Sequence, residues 1–225
     1  MLLALERSRF DWELCDGVLE FGCSNGKMLR WLATYAPDRQ IWGVDIQADK
    51  LMWAMQNLSP PFYFATTTTV PHLPFPDGHF DLIFAGSVFT HIAELHVAWL
   101  LELERILSRR GFLYITLHDE ASIQVASKSG NSRYARFVER IRRSPFADSL
   151  LTGTFSFVCL APYGTAMLSE VMMSSAYLRH ITRPFLHLVH TFPRAYAGFQ
   201  TGYVFVPIKG RTLGAAHNQA LADGA

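Results

Sequence analysis

The chain has 225 residues, 50% hydrophobic and 17% charged, which is enough apolar material for one α/β domain with a large core and too much for a disordered chain. Lys plus Arg number 20 against 19 Asp plus Glu, so the formal net charge of +1 gives no electrostatic basis for binding nucleic acid. Three cysteines, Cys15, Cys23 and Cys159, are too few and too scattered for a disulfide framework and point to a reduced, cytoplasmic protein. The apolar start is too short for a signal peptide, and no stretch approaches the roughly 18 apolar residues of a membrane span.

Residues 1–16 read as a short helical lead-in. Val18-Leu19-Glu20-Phe21 is a compact apolar run that stops at Gly22, the pattern of a buried strand entering a turn. From Lys27 the spacing of Met28, Leu32 and Tyr35 predicts a helix closed by Pro37. Ile41 to Asp45 is a second strand with an acidic end, Ala48 to Leu58 a helix, and Phe62 to Ala65 a third strand. Leu73-Pro74-Phe75-Pro76-Asp77-Gly78 is a turn-rich bridge into a fourth strand, Phe80 to Ala85. Residues 93–107 carry an apolar helical stripe of Val97, Leu100, Leu103 and Leu107, broken by Gly111 before a fifth strand, Phe112 to Leu117. This alternation argues for a parallel sheet with helices on both faces. Residues 119–167 interrupt it, with loop-like Ser127 to Ser132, a basic helix containing Arg133, Arg136, Arg140, Arg142 and Arg143, and an extra strand within Thr154 to Cys159. A helix around Met172 to His180 and strands at Phe185 to Phe192 and Tyr203 to Ile208 follow, the last two expected to pair antiparallel at the sheet edge. The tail 209–225 is expected to be disordered.

The chemistry concentrates in Glu20-Phe21-Gly22-Cys23-Ser24-Asn25-Gly26. Small residues between a buried strand and a helix let a ligand approach the backbone, and the helix start offers N–H groups. Asp45 ends the next strand, where a carboxylate can accept both hydroxyls of a ribose. A dinucleotide would need glycines where this chain has Ser24 and Lys27, which counts against a nucleotide-dependent oxidoreductase. His180, His187 and His190 form no metal-ligand spacing, so no metal is expected.

Val18 to Gly26 resembles the first motif of class I S-adenosylmethionine-dependent methyltransferases, and Gly43-Val44-Asp45 resembles their acidic second motif. Leu73 to Ile83 is similar to the segment entering the family's fourth strand, and Leu103 to Leu107 with Arg110 to Ile115 to its next helix and strand. The resemblance implies an α/β, Rossmann-like three-layer sandwich. Its seven-stranded, mostly parallel sheet would have order 3-2-1-4-5-7-6 with the last strand antiparallel. One domain would span 1–208, with 119–167 as a substrate-covering insertion. It implies S-adenosyl-L-methionine as cofactor and a small-molecule acceptor as partner. Carried over by position, Glu20 would sit near the methionine amino group. Gly22, Cys23, Ser24 and Gly26 would form the backbone cradle, Asp45 would hold the ribose and Ile46 would pack on the adenine. Ala85, Gly86 and Ser87 would line the methionyl side. Ser24 stands where the family usually has a middle glycine, and Ala65 to Thr69 where relatives often place an acidic residue near the adenine.

In-line methyl transfer needs alignment and, for many acceptors, a base. His91 and His118 are the catalytic candidates, at the ends of the fourth and fifth strands, with Asp119 and Glu120 beside the latter. Tyr134 and Tyr163 could close over a substrate, and the arginine run could recognise an anionic one. Cys23 is not expected to act as a nucleophile. The absence of an Asn/Asp-Pro-Pro-Tyr element at Ala85-Gly86-Ser87-Val88 favours oxygen over nitrogen as the methylated atom. A degenerate methyltransferase fold that binds a partner is the competing reading from outside enzymology.

Overall fold

The computed structural model describes residues 1–35, 38–130, 132–160 and 170–208, Ser132 and Arg133 by their backbone alone. Tyr163 and the tail from Lys209 lie outside the described residues. Strands β1 (Gly17–Phe21), β2 (Gln40–Asp45), β3 (Tyr63–Thr66), β4 (Phe80–Ala85) and β5 (Leu107–Leu117) run parallel. Helices α1 (Leu2–Arg7), α2 (Ala48–Leu58) and α3 (His96–Ile106) belong to this half. After β5 come α4 (Glu120–Lys128), α5 (Ser132–Arg142), α6 (Ala147–Thr152) and the antiparallel pair β6 (Phe157–Cys159) and β7 (Val171–Met173). Then come α7 (Ser175–Thr182), β8 (Leu186–Tyr196) and β9 (Gln200–Pro207). The large sheet has order β3-β2-β1-β4-β5-β9-β8, with β9 antiparallel to both neighbours. This is the expected seven-strand order, once β6 and β7 are set apart as their own small sheet.

Alternation along the strands divides the core. Leu19, Phe21, Ile83, Leu113 and Ile115 face α3 and α7, while Val18, Leu82, Phe84 and Tyr114 face Leu5, Leu29, Leu32 and Leu51 on the other side. The segment from α4 to β7 has a third core of Ile123, Phe137, Val138, Ile141, Leu150, Val158 and Met172.

Four local expectations are corrected. The helix expected from Lys27 is a run of turns with a 3₁₀ segment at Leu29–Leu32. Trp31, Ala33 and Tyr35 donate to the carbonyls three residues back, and the buried pair Leu29 and Leu32 follows that three-residue period. Gly111 does not break a helix; α3 ends at Ile106 and Gly111 lies inside β5, where the Leu107 side chain covers it. The loop expected over Ser127 to Ser132 is shorter, since α4 runs to Lys128 and α5 starts at Ser132, with Ser129 and Gly130 outside either helix. The helix placed at Met172 starts at Ser175, because Val171–Met173 is a strand and Ser174 caps α7 through its hydroxyl.

Candidate functional site

The strand order reverses between β1 and β4, so a crevice opens at their carboxyl ends. The turn after β1 carries three alternating residues in the left-handed region: Gly22 at φ +76°, Ser24 at +51° and Gly26 at +71°. The serine therefore keeps the glycine-type path of the chain. A Cβ on Gly22 would collide with the Val88 side chain, and one on Gly26 would lie 2.7 Å from Leu58 Cδ1. The N–H groups of Gly22 and Cys23 donate to Val44 O at 2.8 and 3.0 Å. Asp45, buried at the end of β2, then locks two loops together: Oδ2 accepts the Ser24 N–H at 2.7 Å and Oδ1 the Gln47 N–H at 2.8 Å. Ile46 beside it is 42% exposed.

Glu20 is buried, and its Oε2 accepts the Leu29 N–H at 2.9 Å. Burial pushes its carboxyl well above the usual range; the Leu29 N–H pulls the other way and the Asp45 charge adds to the rise. Asn25 Oδ1, in the same turn, is buried with no hydrogen-bond partner among the described residues. The Cys23 thiol is pushed up by burial and then by Glu20 and Asp45, so it stays protonated and un-nucleophilic.

Across the crevice, Ala85 is buried, Gly86 is half-buried and Ser87 turns left-handed at φ +62°. A network missed by sequence reasoning fixes Ser87. Its N–H donates to Thr116 Oγ1 at 2.7 Å, and Thr116 donates to Gln200 Oε1 at 2.7 Å. Gln200 Nε2 donates back to Ser87 Oγ at 2.8 Å. The one available signal was a polar pair, Gln200-Thr201, opening an otherwise apolar strand beside the end of β5. Tyr196, at the end of β8, was also missed; its ring reaches the Gly86 backbone.

His91 is exposed at the post-β4 segment, its N–H donating to Val88 O at 2.9 Å. His118 is buried, its ring centroid 5.0 Å from both Phe137 and Phe199, and neither ring nitrogen has a hydrogen-bond partner among the described residues. Burial, helped by repulsion from His91, lowers its pKa to about 3, which keeps the imidazole neutral. Asp119 and Glu120 are engaged in structure. Asp119 accepts from Ser122, Thr201 and Tyr203, and Glu120 from the Ser175 N–H and hydroxyl.

The segment from α4 to β7 returns over this edge. The Val171 N–H donates to Thr90 O at 2.8 Å and the Met173 N–H to His118 O at 3.0 Å, so β7 is stitched to the segments after β4 and β5. Tyr134 on α5 donates to Ala197 O at 2.6 Å in the β8–β9 turn. Of the arginine run, Arg140 on α5 pairs with Glu170 and Arg143, just past its end, with Glu139, which leaves neither as a ready anion receptor.

A family model described as "Methyltransferase domain" matches residues 19–115, the stretch from β1 to β5. Among solved structures, a protein of Pyrococcus horikoshii superposes with TM-score 0.61 at 14% identity, over 92% of this chain and 88% of its own. An S-adenosylmethionine-dependent methyltransferase of Mesorhizobium loti gives 0.59 at 14%, over 90% and 95%. One from Aquifex aeolicus gives 0.56 at 13%, over 89% and 87%. At these identities the solved structures speak for the fold, and the family model for the domain. Over residues 19–115 the chain is thus similar to a methyltransferase domain, and its fold is the one seen in S-adenosylmethionine-dependent methyltransferases, transferases whose cofactor is S-adenosylmethionine.

Proposed function

We propose that the protein methylates a small-molecule acceptor, with oxygen ahead of nitrogen as the methylated atom. S-adenosylmethionine, when bound, supplies an electrophilic methyl group on a sulfonium. The residues at the crevice suit that group. Glu20 and Asp45 bring carboxylates to the ends of adjacent strands, for an ammonium and a ribose, and the left-handed turn of Gly22, Ser24 and Gly26 with Cys23 leaves its backbone approachable. Asn25 Oδ1 is an unused acceptor in that turn, and Ile46 offers an apolar face beside Asp45. Ala85, Gly86 and Ser87 would line the opposite wall.

The observation that carries the small-molecule reading is the stitching of β7 across the post-β4 and post-β5 segments. It supports the insertion as a cover on the acceptor side, where a macromolecular acceptor would need open access. His91 is the better proton acceptor of the two histidines, since His118 is held neutral and enclosed by Phe137 and Phe199. His118 then acts as part of the wall. The few, scattered cysteines support a reducing, cytoplasmic setting. No helix among the described residues is long and apolar enough to cross a membrane.

Isothermal titration of the wild type with S-adenosylmethionine and S-adenosylhomocysteine tests the reading. Micromolar binding followed by methyl transfer in a screen of hydroxyl and carboxyl acceptors is expected. Binding without turnover on any small acceptor, with turnover on a protein or nucleic acid, would refute the acceptor class.

A further inference from the structure

Gly86 is the floor of a cradle whose walls the sequence motifs do not reveal. A Cβ built on it would lie 2.6 Å from Met28 Sδ, 3.3 Å from Met28 Cε and 3.1 Å from Tyr196 Cε2. The methylthio group of Met28 and the edge of the Tyr196 ring beside its hydroxyl thus meet over the same backbone. The cradle already seats an S–CH₃ group, one supplied by the chain itself.

Tyr196 is held there from both sides. It pairs with Gln200 across the hairpin, and Gln200 is hydrogen-bonded to Ser87 Oγ, one residue beyond Gly86. On the outer side, the Tyr134 hydroxyl fixes Ala197. The Tyr196 phenol is half-buried; burial first, then the Glu20 charge, raises it, so it stays a neutral phenol. A neutral phenol oxygen and an aromatic ring share one chemical preference. Both favour a methyl group polarised by an adjacent cationic sulfur over the neutral thioether that remains once the methyl has left.

Resting on the cofactor reading above, we propose that Tyr196 is a cofactor-binding residue that recognises the S-methyl sulfonium and so favours S-adenosylmethionine over S-adenosylhomocysteine. The ring of Tyr196 supplies the wall opposite Gly86 and its hydroxyl the discrimination.

The test compares dissociation constants of both ligands by titration calorimetry for wild type, Tyr196→Phe and Tyr196→Leu, with melting temperatures as a check on folding. Tyr196→Phe keeps the ring and is expected to weaken S-adenosylmethionine about fivefold while S-adenosylhomocysteine stays within about twofold. Tyr196→Leu is expected to weaken S-adenosylmethionine further. If Tyr196→Phe shifts both ligands equally, or neither, the proposal is overturned while the cofactor reading stands. If folded wild type binds neither ligand, the cofactor reading itself fails.

Discussion

Asp45→Ala separates what the acidic residue does for the ligand from what it does for the loop. In the structure both carboxylate oxygens are spent on backbone N–H groups, Ser24 at 2.7 Å and Gln47 at 2.8 Å, in a buried setting. Hydrogen bonds to an ionised acceptor are worth about 1.5–3 kcal/mol each, and truncation strands two donors. The expected loss is about 3–5 kcal/mol. In a chain of this size 1 kcal/mol moves the melting temperature by about 2–4 °C, so a drop of roughly 8–15 °C is expected by circular dichroism. Asp45→Asn keeps one acceptor oxygen and should lose about half as much. Cofactor at about 100 times its dissociation constant adds ~2.7 kcal/mol to a protein that binds it, so wild type should melt higher with ligand and Asp45→Ala should not respond. An Ala variant that melts within about 2 °C of wild type would refute the anchoring argument. One that melts low yet binds the cofactor at wild-type strength would refute the ligand role and leave Asp45 a purely structural residue.

Three further outcomes follow from the same geometry. Gly22→Ala combines a left-handed φ of +76° with a collision on Val88 and should cost about 3 kcal/mol in urea unfolding; a loss under about 1 kcal/mol would mean that Val88 moves aside freely. Ser24→Gly should do the opposite and stabilise by about 0.5–1 kcal/mol, because it relieves a φ of +51° at the cost of extra unfolded-state entropy. His118 binds its proton near pH 3 when folded against an ordinary 6.5, so the unfolded chain holds more protons between these values and stability falls as pH drops through that window. The slope should reach about 1.4 kcal/mol per pH unit and be absent in His118→Phe, measured as denaturant midpoints at pH 7, 5.5 and 4; parallel pH curves for the two proteins would show that the imidazole is hydrated in the native state.

The sequence displayed most of the sheet because its strands are short apolar runs ended by turn residues, as at Phe21-Gly22 and Ala85-Gly86. The glycine turn and Asp45 were legible for a related reason: close backbone approach and a strand-end carboxylate are local properties. What stayed hidden depends on contacts distant in the chain. Gln200 joins Ser87 and Thr116 only because β9 folds back antiparallel beside β5, and Tyr196 reaches Gly86 only through the same hairpin. Lys27 to Tyr35 misled because its apolar spacing fits a helix almost as well as the tighter turn that the Leu29 and Leu32 burial selects. His118 was readable as a strand-end histidine, but its enclosure by Phe137 and Phe199 required two segments that composition cannot bring together.

A sheet with two open ends invites further strands, and a chain that cannot refuse them aggregates. One end here is β3, only four residues long. The other is β8, where Pro193 offers no N–H, Arg194 turns left-handed at φ +61° and the register with β9 slips twice. The strand that carries Tyr196 to the crevice is therefore also the sheet's terminus. Substitutions that straighten it at Pro193 or Arg194 should show first as self-association, before any change in what the crevice binds.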